Sequence, residues 1–530
     1  MCKQDWTLLP RESTINPPKK GCAMGQGAKI IIIGAGIGGL SAALRLAHQG
    51  CDVTVLETAS APGGKIRTLP TDHGPADTGP TVLTMRHVFE ALFADVGATL
   101  SDHVTLTPLP VLARHFWPGG QSLDLMADLD ASARNIRDAF GPRAEAEFQS
   151  YSARTRALFD AFDAPMMQTP APSLSAMVAK VASNPRIIPK MAPHQSLAKM
   201  LRAQFSDPEL AQLFGRYATY VGGVPAHVPA LLSLISQAEA DGVWAVDGGM
   251  TALPRAIADL ATAKGALFHY DTQVTRIESQ GGRAALVHTA NARFEADAVL
   301  FNGDPRALET GLLGHGARSA VLPTATNPRS LSACVLAFSG LMQGPELSHH
   351  NVFFGNDLNA EFNAIDQGRL PDDPTLYLCA QDHGATGQPP GTPGRFEIIM
   401  NAPAGLILSL EEQEKCLMRI FDRLASFGLT CDPRPGLKAL TVPQDWDRLF
   451  PASQGALYGR SPSGMMAAFQ RPTARSRLKG LYLVGGGAHP GAGVPMATLS
   501  GRHAAEAIWT DLTSASMWGR TAMPGGMSMA

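Results

Sequence analysis

Lys29-Ile-Ile-Ile-Ile-Gly34-Ala-Gly36-Ile-Gly38-Gly39-Leu-Ser-Ala-Ala-Leu44 decides the fold. Residues 30–33 form an unbroken β-branched run, the pattern of a strand buried on both faces of a parallel sheet. Gly34, Gly36 and Gly39 follow at GxGxxG spacing. The first glycine permits a tight turn, the second lets a pyrophosphate approach the backbone, and the third lets a helix pack on the strand. Leu40, Ala43, Leu44 and Ala47 then share one helical face, and Gly50 stands where that helix should stop. A second strand, Asp52-Val-Thr-Val-Leu-Glu57, ends on an acid. Glu57 lies about 20 residues past the glycines, within reach of ribose hydroxyls. Its charge would repel a 2′-phosphate. The stretch predicts a doubly wound dinucleotide-binding unit.

Further glycines point to the same site. Gly63-Gly64-Lys65-Ile-Arg67 and Asp77-Thr-Gly79-Pro80-Thr81 offer a second close-approaching backbone beside cations. At the far end runs Leu481-Tyr-Leu-Val-Gly485-Gly-Gly-Ala-His489-Pro-Gly491-Ala-Gly493-Val494-Pro495-Met496, a glycine-rich loop leading into a helix. Such a helix start favours an anionic ligand.

An acid closing the second strand, then Gly-Gly and a cation, resembles the FAD-binding start of the amine-oxidase and phytoene-desaturase superfamily. The run 481–496 is similar to the closing signature of carotenoid desaturases. Gly248-Gly249-Met250 with Leu253-Pro254, Asn302-Gly303-Asp304-Pro305, Gly455 to Gly459 and Arg471-Pro472 agree with it. The resemblance covers residues 28 to about 510. Within the family, Val243 to Pro254 and His350-Asn-Val-Phe-Phe-Gly355 look most like the bacterial 1-hydroxycarotenoid 3,4-desaturases, also called methoxyneurosporene dehydrogenases. Members usually carry Arg where this chain has Lys65, and Lys keeps the charge but loses the planar fork. Either Arg67 compensates, or the phosphate contact is looser than in relatives.

The resemblance implies a mixed α/β protein: a Rossmann-like FAD domain, an antiparallel-sheet substrate domain and a helical membrane-facing subdomain. Residues 1–26 are expected to be a disordered extension, with Met24 an alternative start. The FAD domain is expected in three pieces, 27–130, 236–308 and 471–512. The helical subdomain is expected over 131–235, the substrate sheet over 309–470, and a tail over 513–530. It further implies desaturation at C3–C4 of acyclic 1-hydroxy or 1-methoxy carotenoids, with the flavin taking a hydride. Oxygen or a quinone is the expected electron acceptor.

The cofactor contacts implied are Gly34, Gly36, Gly38, Gly39, Glu57, Gly63, Gly64, Lys65, Arg67, Gly79, Pro80, Thr81, Val274, Gly485, Gly491, Gly493, Val494, Pro495 and Met496. Val274 stands where relatives touch adenine. His489, in the flavin loop, is the one candidate base, against the plainer reading of a loop-orienting residue. Arg216, Tyr217 and Tyr220 fall where relatives line the substrate channel and are candidates to hold a 1-hydroxyl or methoxyl.

Composition sets limits. A chain of 530 residues with 45% apolar content can bury more than one core. A net charge of −2 offers no nucleic-acid footprint. Seven cysteines lack CxxC spacing, so neither a disulfide framework nor a metal site is expected. No cysteine falls in 485–496, which predicts non-covalent FAD. Residues 162–204 carry methionines, Lys180, Arg186, Lys190 and Lys199 among helix-breaking prolines. Apolar faces beside cations suit a peripheral membrane contact. The expected location is therefore the cytoplasmic side of the inner or intracytoplasmic membrane. Three alternatives remain at this stage: a phytoene desaturase, an amine oxidase of the same fold, and a non-catalytic escort protein, the last disfavoured by intact FAD motifs.

Overall fold

The computed structural model describes residues 27–383 and 391–519. The extension read at 1–26 and the end of the tail, 520–530, lie outside these.

The β-branched run forms the strand Lys29–Ile33 at the centre of a five-stranded parallel sheet. Its order is Leu481–Leu483, Ala298–Phe301, Lys29–Ile33, Asp52–Leu56, Leu267–His269. Strands from both ends of the chain thus lie in one sheet. The helices Ile37–His48 and Val494–Gly519 pack together on one face. Ile30, Ile32, Leu40, Leu44, Ala504 and Ile508 are all fully buried in the core between them. The last helix runs on to Gly519, so the start of the predicted tail is helical instead. A separate three-stranded sheet, Val274–Gln280, Arg283–Thr289 and Arg293–Glu295, covers the other face of this domain through Val274, Ile277 and Val287.

The second large sheet has eight strands. Its path runs Thr430–Asp432, Ser332–Gln343, Gly394–Ala402, Leu376–Ala380, His350–Phe353, Val111–Phe116, Ser122–Met126, with Leu440–Thr441 beside Ser332–Gln343. Two expectations need correction. Val111–Phe116 and Ser122–Met126 belong to this sheet although they fall inside the predicted first nucleotide segment. The sheet is also not wholly antiparallel, because His350–Phe353 pairs parallel with Val111–Phe116. The cause is chain order: the hairpin is made early and adds to an edge completed much later in the sequence.

Registers fix which residues share a face. Val335, Ile399, Tyr377 and Val352 lie opposite one another across four strands. Two residues along, Ala337, Glu397, Cys379 and His350 form the next row on the same face. That face looks toward the first sheet's glycine turns.

Residues 129–240 are largely helical. Prolines cut 163–191 into short pieces, with a helix at Leu174–Ser183.

Candidate active site

One cavity of about 990 Å³ lies between the two sheets. Its wall gathers residues from both ends of the chain. Gly34, Gly36 and Gly38 come from the first turn, Gly63, Gly64 and Lys65 from the second segment, and Gly485 and Gly491–Met496 from the closing loop and helix. Glu57, Gly79, Pro80, Thr81, Val274, His489, Arg216 and Tyr220 also line it.

Backbone contact brings the glycine segments together. Gly63 N–H donates to the Ala35 carbonyl at 2.9 Å, and Gly36 and Gly63 form a bridge. A Cβ at Gly64, where φ is +61°, would come within 3.1 Å of the Gly36 Cα. One at Gly38 would come within 2.9 Å of Gly485. Asn302 locks the first turn, its Nδ2 donating to the carbonyls of Gly34 at 3.0 Å and Gly36 at 3.1 Å. Glu57 accepts from the N–H of Ala35 at 2.5 Å and of Ala59 at 2.8 Å, which aims its carboxylate at the edge of the turn.

Lys65 is a half-buried cation. Its ammonium donates to the Leu457 carbonyl and sits 5.5 Å from the centre of the Phe450 ring. Burial lowers its pKa to about 8. Arg471 is buried behind the closing loop and donates to the carbonyls of Tyr458, Gly486 and Arg460. Burial lowers its pKa to about 10. The wall fits a dinucleotide: approachable glycine backbone, two cations of which Arg471 is buried and Lys65 half-buried, and an acid where a ribose would sit.

Three predicted contacts fall off the wall. Gly39 packs on the Gly34 carbonyl, 2.4 Å from where a Cβ would stand, so it seats the helix and touches no ligand space. Arg67 does not reinforce Lys65, because its guanidinium lies 5.4 Å over the Trp446 ring. Tyr217 is buried behind Arg216 rather than in the cavity.

Arg216 and Tyr220 are on the wall, and their terminal groups bond within a cluster, while Arg216 Nε is buried without a partner among the described residues. Arg216 Nη2 lies 3.1 Å from Glu239, and its Nη1 donates to the Tyr220 hydroxyl at 2.6 Å. Both tyrosine hydroxyls donate to Glu239, Tyr217 at 2.6 Å and Tyr220 at 2.7 Å. Glu239 was missed in the sequence because nothing local marks an acid that neutralises a cation one turn and a loop away.

His489 is held by the Thr169 carbonyl at 2.9 Å from Nε2 and stacks 5.9 Å from His503. Burial lowers its pKa, so the ring is neutral with Nε2–H donating. This orients the closing loop against the helical segment.

A second polar group was also missed. Glu397, fully buried in the substrate sheet, accepts from the Gly79 N–H and, at 3.2 Å, from the Thr81 hydroxyl. Burial raises its pKa to about 8. Thr81 Oγ lies 2.9 Å from the Tyr377 hydroxyl, which lies 2.7 Å from His350 Nδ1.

A large part of the remaining wall is apolar. Phe159 and Phe162 line it from the end of the helix Pro142–Phe162, and Met166, Met167, Met177 and Met191 from the proline-broken segment that follows. The same segment exposes Leu174, Val178 and Ile188, at 51%, 59% and 44%, beside Lys180 and Lys190.

Fold and wall together define a flavoprotein of the two-sheet type, built on paired glycine turns. The family model for flavin-containing amine oxidoreductases matches residues 37–509, and the chain belongs to that family. A flavin cofactor follows from the membership. A hydroxyneurosporene desaturase from Cereibacter sphaeroides is 51% identical over 92% of this chain and 99% of its own. Another protein of that name, from Rhodobacter capsulatus, is 49% identical over 92% and 98%. Among solved structures, cyclohexylamine oxidase from Brevibacterium oxydans superposes with a TM-score of 0.56 at 18% identity, covering 92% of this chain and 99% of that one. The last likeness concerns the fold alone.

Proposed function

We propose that the protein is an FAD-dependent carotenoid desaturase of carotenoid biosynthesis. It introduces a C3–C4 double bond into acyclic carotenoids bearing a 1-hydroxyl or 1-methoxyl. The observation that carries this reading is one continuous cavity, glycine-lined at one end and walled by Phe and Met at the other. The desaturase relatives support the substrate class.

When bound, FAD supplies the hydride acceptor for the carbon–carbon oxidation. The chain does the rest. Gly36, Gly64 and Gly491 would let backbone approach the cofactor, Lys65 would meet its phosphates, and Glu57 and Val274 would take its adenosine end. These last two favour FAD over a mononucleotide. No cysteine lines the cavity among the described residues, which supports non-covalent binding. The start of the Val494–Gly519 helix lines the cavity, and its free N–H groups would favour negative charge on a bound flavin. The apolar wall excludes water and holds the polyene in line.

The substrate is a lipid-phase molecule, and the helical segment 163–191 is its entrance. Exposed Leu174, Val178 and Ile188 beside lysines suit an interfacial surface. No described helix is long and apolar enough to cross a membrane. The reading is peripheral attachment at the cytoplasmic side of the inner or intracytoplasmic membrane, with oxygen or a quinone as electron acceptor. Expression in cells accumulating 1-hydroxyneurosporene tests the function. The extracted pigment's bands should move to the red. Unchanged hydroxylated pigment beside rapid multi-step desaturation of phytoene would replace this reading with that of a phytoene desaturase.

A further inference from the structure

We infer that His349, His350 and Cys379 bind a zinc ion in the substrate sheet, just behind the cavity wall. The inference stands apart from the desaturase reading above.

The sheet brings the three ligands together. His350 and Cys379 lie directly opposite each other on paired antiparallel strands, so their side chains share a face. His349 precedes its strand by one residue, and its carbonyl accepts from the Ala380 N–H at 2.8 Å. Cys379 Sγ lies 3.7 Å from His349 Nε2. One nitrogen of His350 completes a set whose atoms all lie within 4.8 Å of one another. A trigonal zinc, with bonds of about 2.3 Å to sulfur and 2.0–2.1 Å to nitrogen, holds those atoms about 3.8 Å apart. The His349–Cys379 side already has that spacing, and the His350 side reaches it by closing about 1 Å. No CxxC spacing marks the set, because its members come from two strands joined only through the sheet.

Both rings are held as metal-ligating imidazoles are held, by an oxygen on the far nitrogen. His349 Nδ1 lies 3.3 Å from the His383 carbonyl, which can only accept. The proton is therefore on Nδ1, and Nε2 keeps its lone pair toward Cys379. His350 Nδ1 lies 2.7 Å from the Tyr377 hydroxyl, and its Nε2 is buried with no hydrogen-bond partner among the described residues. An unmatched lone pair costs less than an unmatched N–H, so this ring too presents Nε2 as a free lone pair. Two neutral imidazoles and a thiolate are a donor set that suits zinc. On binding, Cys379 releases its thiol proton to solvent. Glu397 stands opposite Cys379 on the next strand and supplies an acid beside the cation. Thr81 and Tyr377 touch the Cys379 sulfur and also line the cavity, which gives the ion its way in. Once bound, it would hold His350 Nδ1–H as a fixed donor to Tyr377.

Protein produced in zinc-supplemented medium is purified as the holoenzyme, desalted, and measured for zinc and FAD together. We expect one zinc per chain, with X-ray absorption showing one sulfur at about 2.3 Å and nitrogens at about 2.0–2.1 Å. Cys379→Ser should weaken zinc binding by more than the roughly 10- to 100-fold that losing an outer-shell partner costs, with FAD content unchanged. His349→Gln should do the same and serves if the first variant folds poorly. Zinc that is not retained, zinc with only nitrogen and oxygen neighbours, or zinc held as tightly by Cys379→Ser as by the wild type overturns the site.

Discussion

Arg216 and Glu239 form a buried ion pair at 3.1 Å, with side chains 8% and 2% exposed. Two tyrosine hydroxyls satisfy the remaining carboxylate positions. The cluster holds the cavity wall together, with Arg216 Nε its one buried donor left without a partner among the described residues. Removing only the acid strands a buried guanidinium, which typically costs about 3–5 kcal/mol. Glu239→Ala should therefore lose that much stability in urea unfolding. The double variant Arg216→Met with Glu239→Leu should lose less. Equal losses would show that the pair's charge is not the governing factor.

Lys65 makes cofactor binding depend on pH. Its folded pKa, about 8, lies below the ordinary 10.5. Between these values the unfolded chain holds the proton and the cofactor-free fold does not, so that fold gains stability as pH rises through the window. FAD phosphates favour the charged form. Affinity for FAD should then fall as pH rises above about 8, by up to tenfold per unit. Titrations of apoprotein by flavin fluorescence, at pH 7 to 10, measure this. Lys65→Met should bind weakly at every pH and lose the slope. A wild-type affinity independent of pH would place the phosphates elsewhere.

Gly38 tests the junction of the chain's two ends. An added Cβ would meet Gly485 at 2.9 Å and the Ala497 carbonyl at 3.0 Å, all backbone. Overpacking of this kind costs about 1–3 kcal/mol. Gly38→Ala should lower the melting temperature and the flavin-to-protein ratio together. An unchanged ratio would mean that the two glycine segments are not held in register by this contact.

Membrane attachment is tested on the helix Leu174–Ser183. Leu174 and Val178 are one turn apart and more than half exposed. Leu174→Asp with Val178→Asp should reduce flotation with anionic liposomes by about tenfold or more, since each such side chain contributes roughly 1.5–3 kcal/mol when fully buried. Flavin content should stay the same. Undiminished flotation would move the contact to another surface.

The two ends of the chain carried the nucleotide half in plain view. Gly34, Gly36, Gly64 and Gly491 announce themselves because close backbone approach excludes a side chain, a constraint written in single residues. What was hidden depends on pairing across the fold. Arg216 was visible as a buried-region cation, but its partner Glu239 was not, so an internally neutralised cluster was read as a substrate contact. Arg67 was offered as the cation that would make up for Lys65, and only the fold shows Trp446 beneath it. The hairpin Val111–Met126 has the alternation of any strand pair. Its place in the second sheet depends on meeting His350–Phe353 late in the chain. Thr81 and Tyr377 lie in different domains, and nothing local links them.

The most direct test mixes oxidised holoenzyme with 1-hydroxyneurosporene in the absence of oxygen and follows flavin and pigment together. The account predicts that the flavin band bleaches as the carotenoid bands shift red by one conjugated double bond, in equal amounts. A flavin that stays oxidised with the carotenoid but is bleached by a primary amine would contradict it.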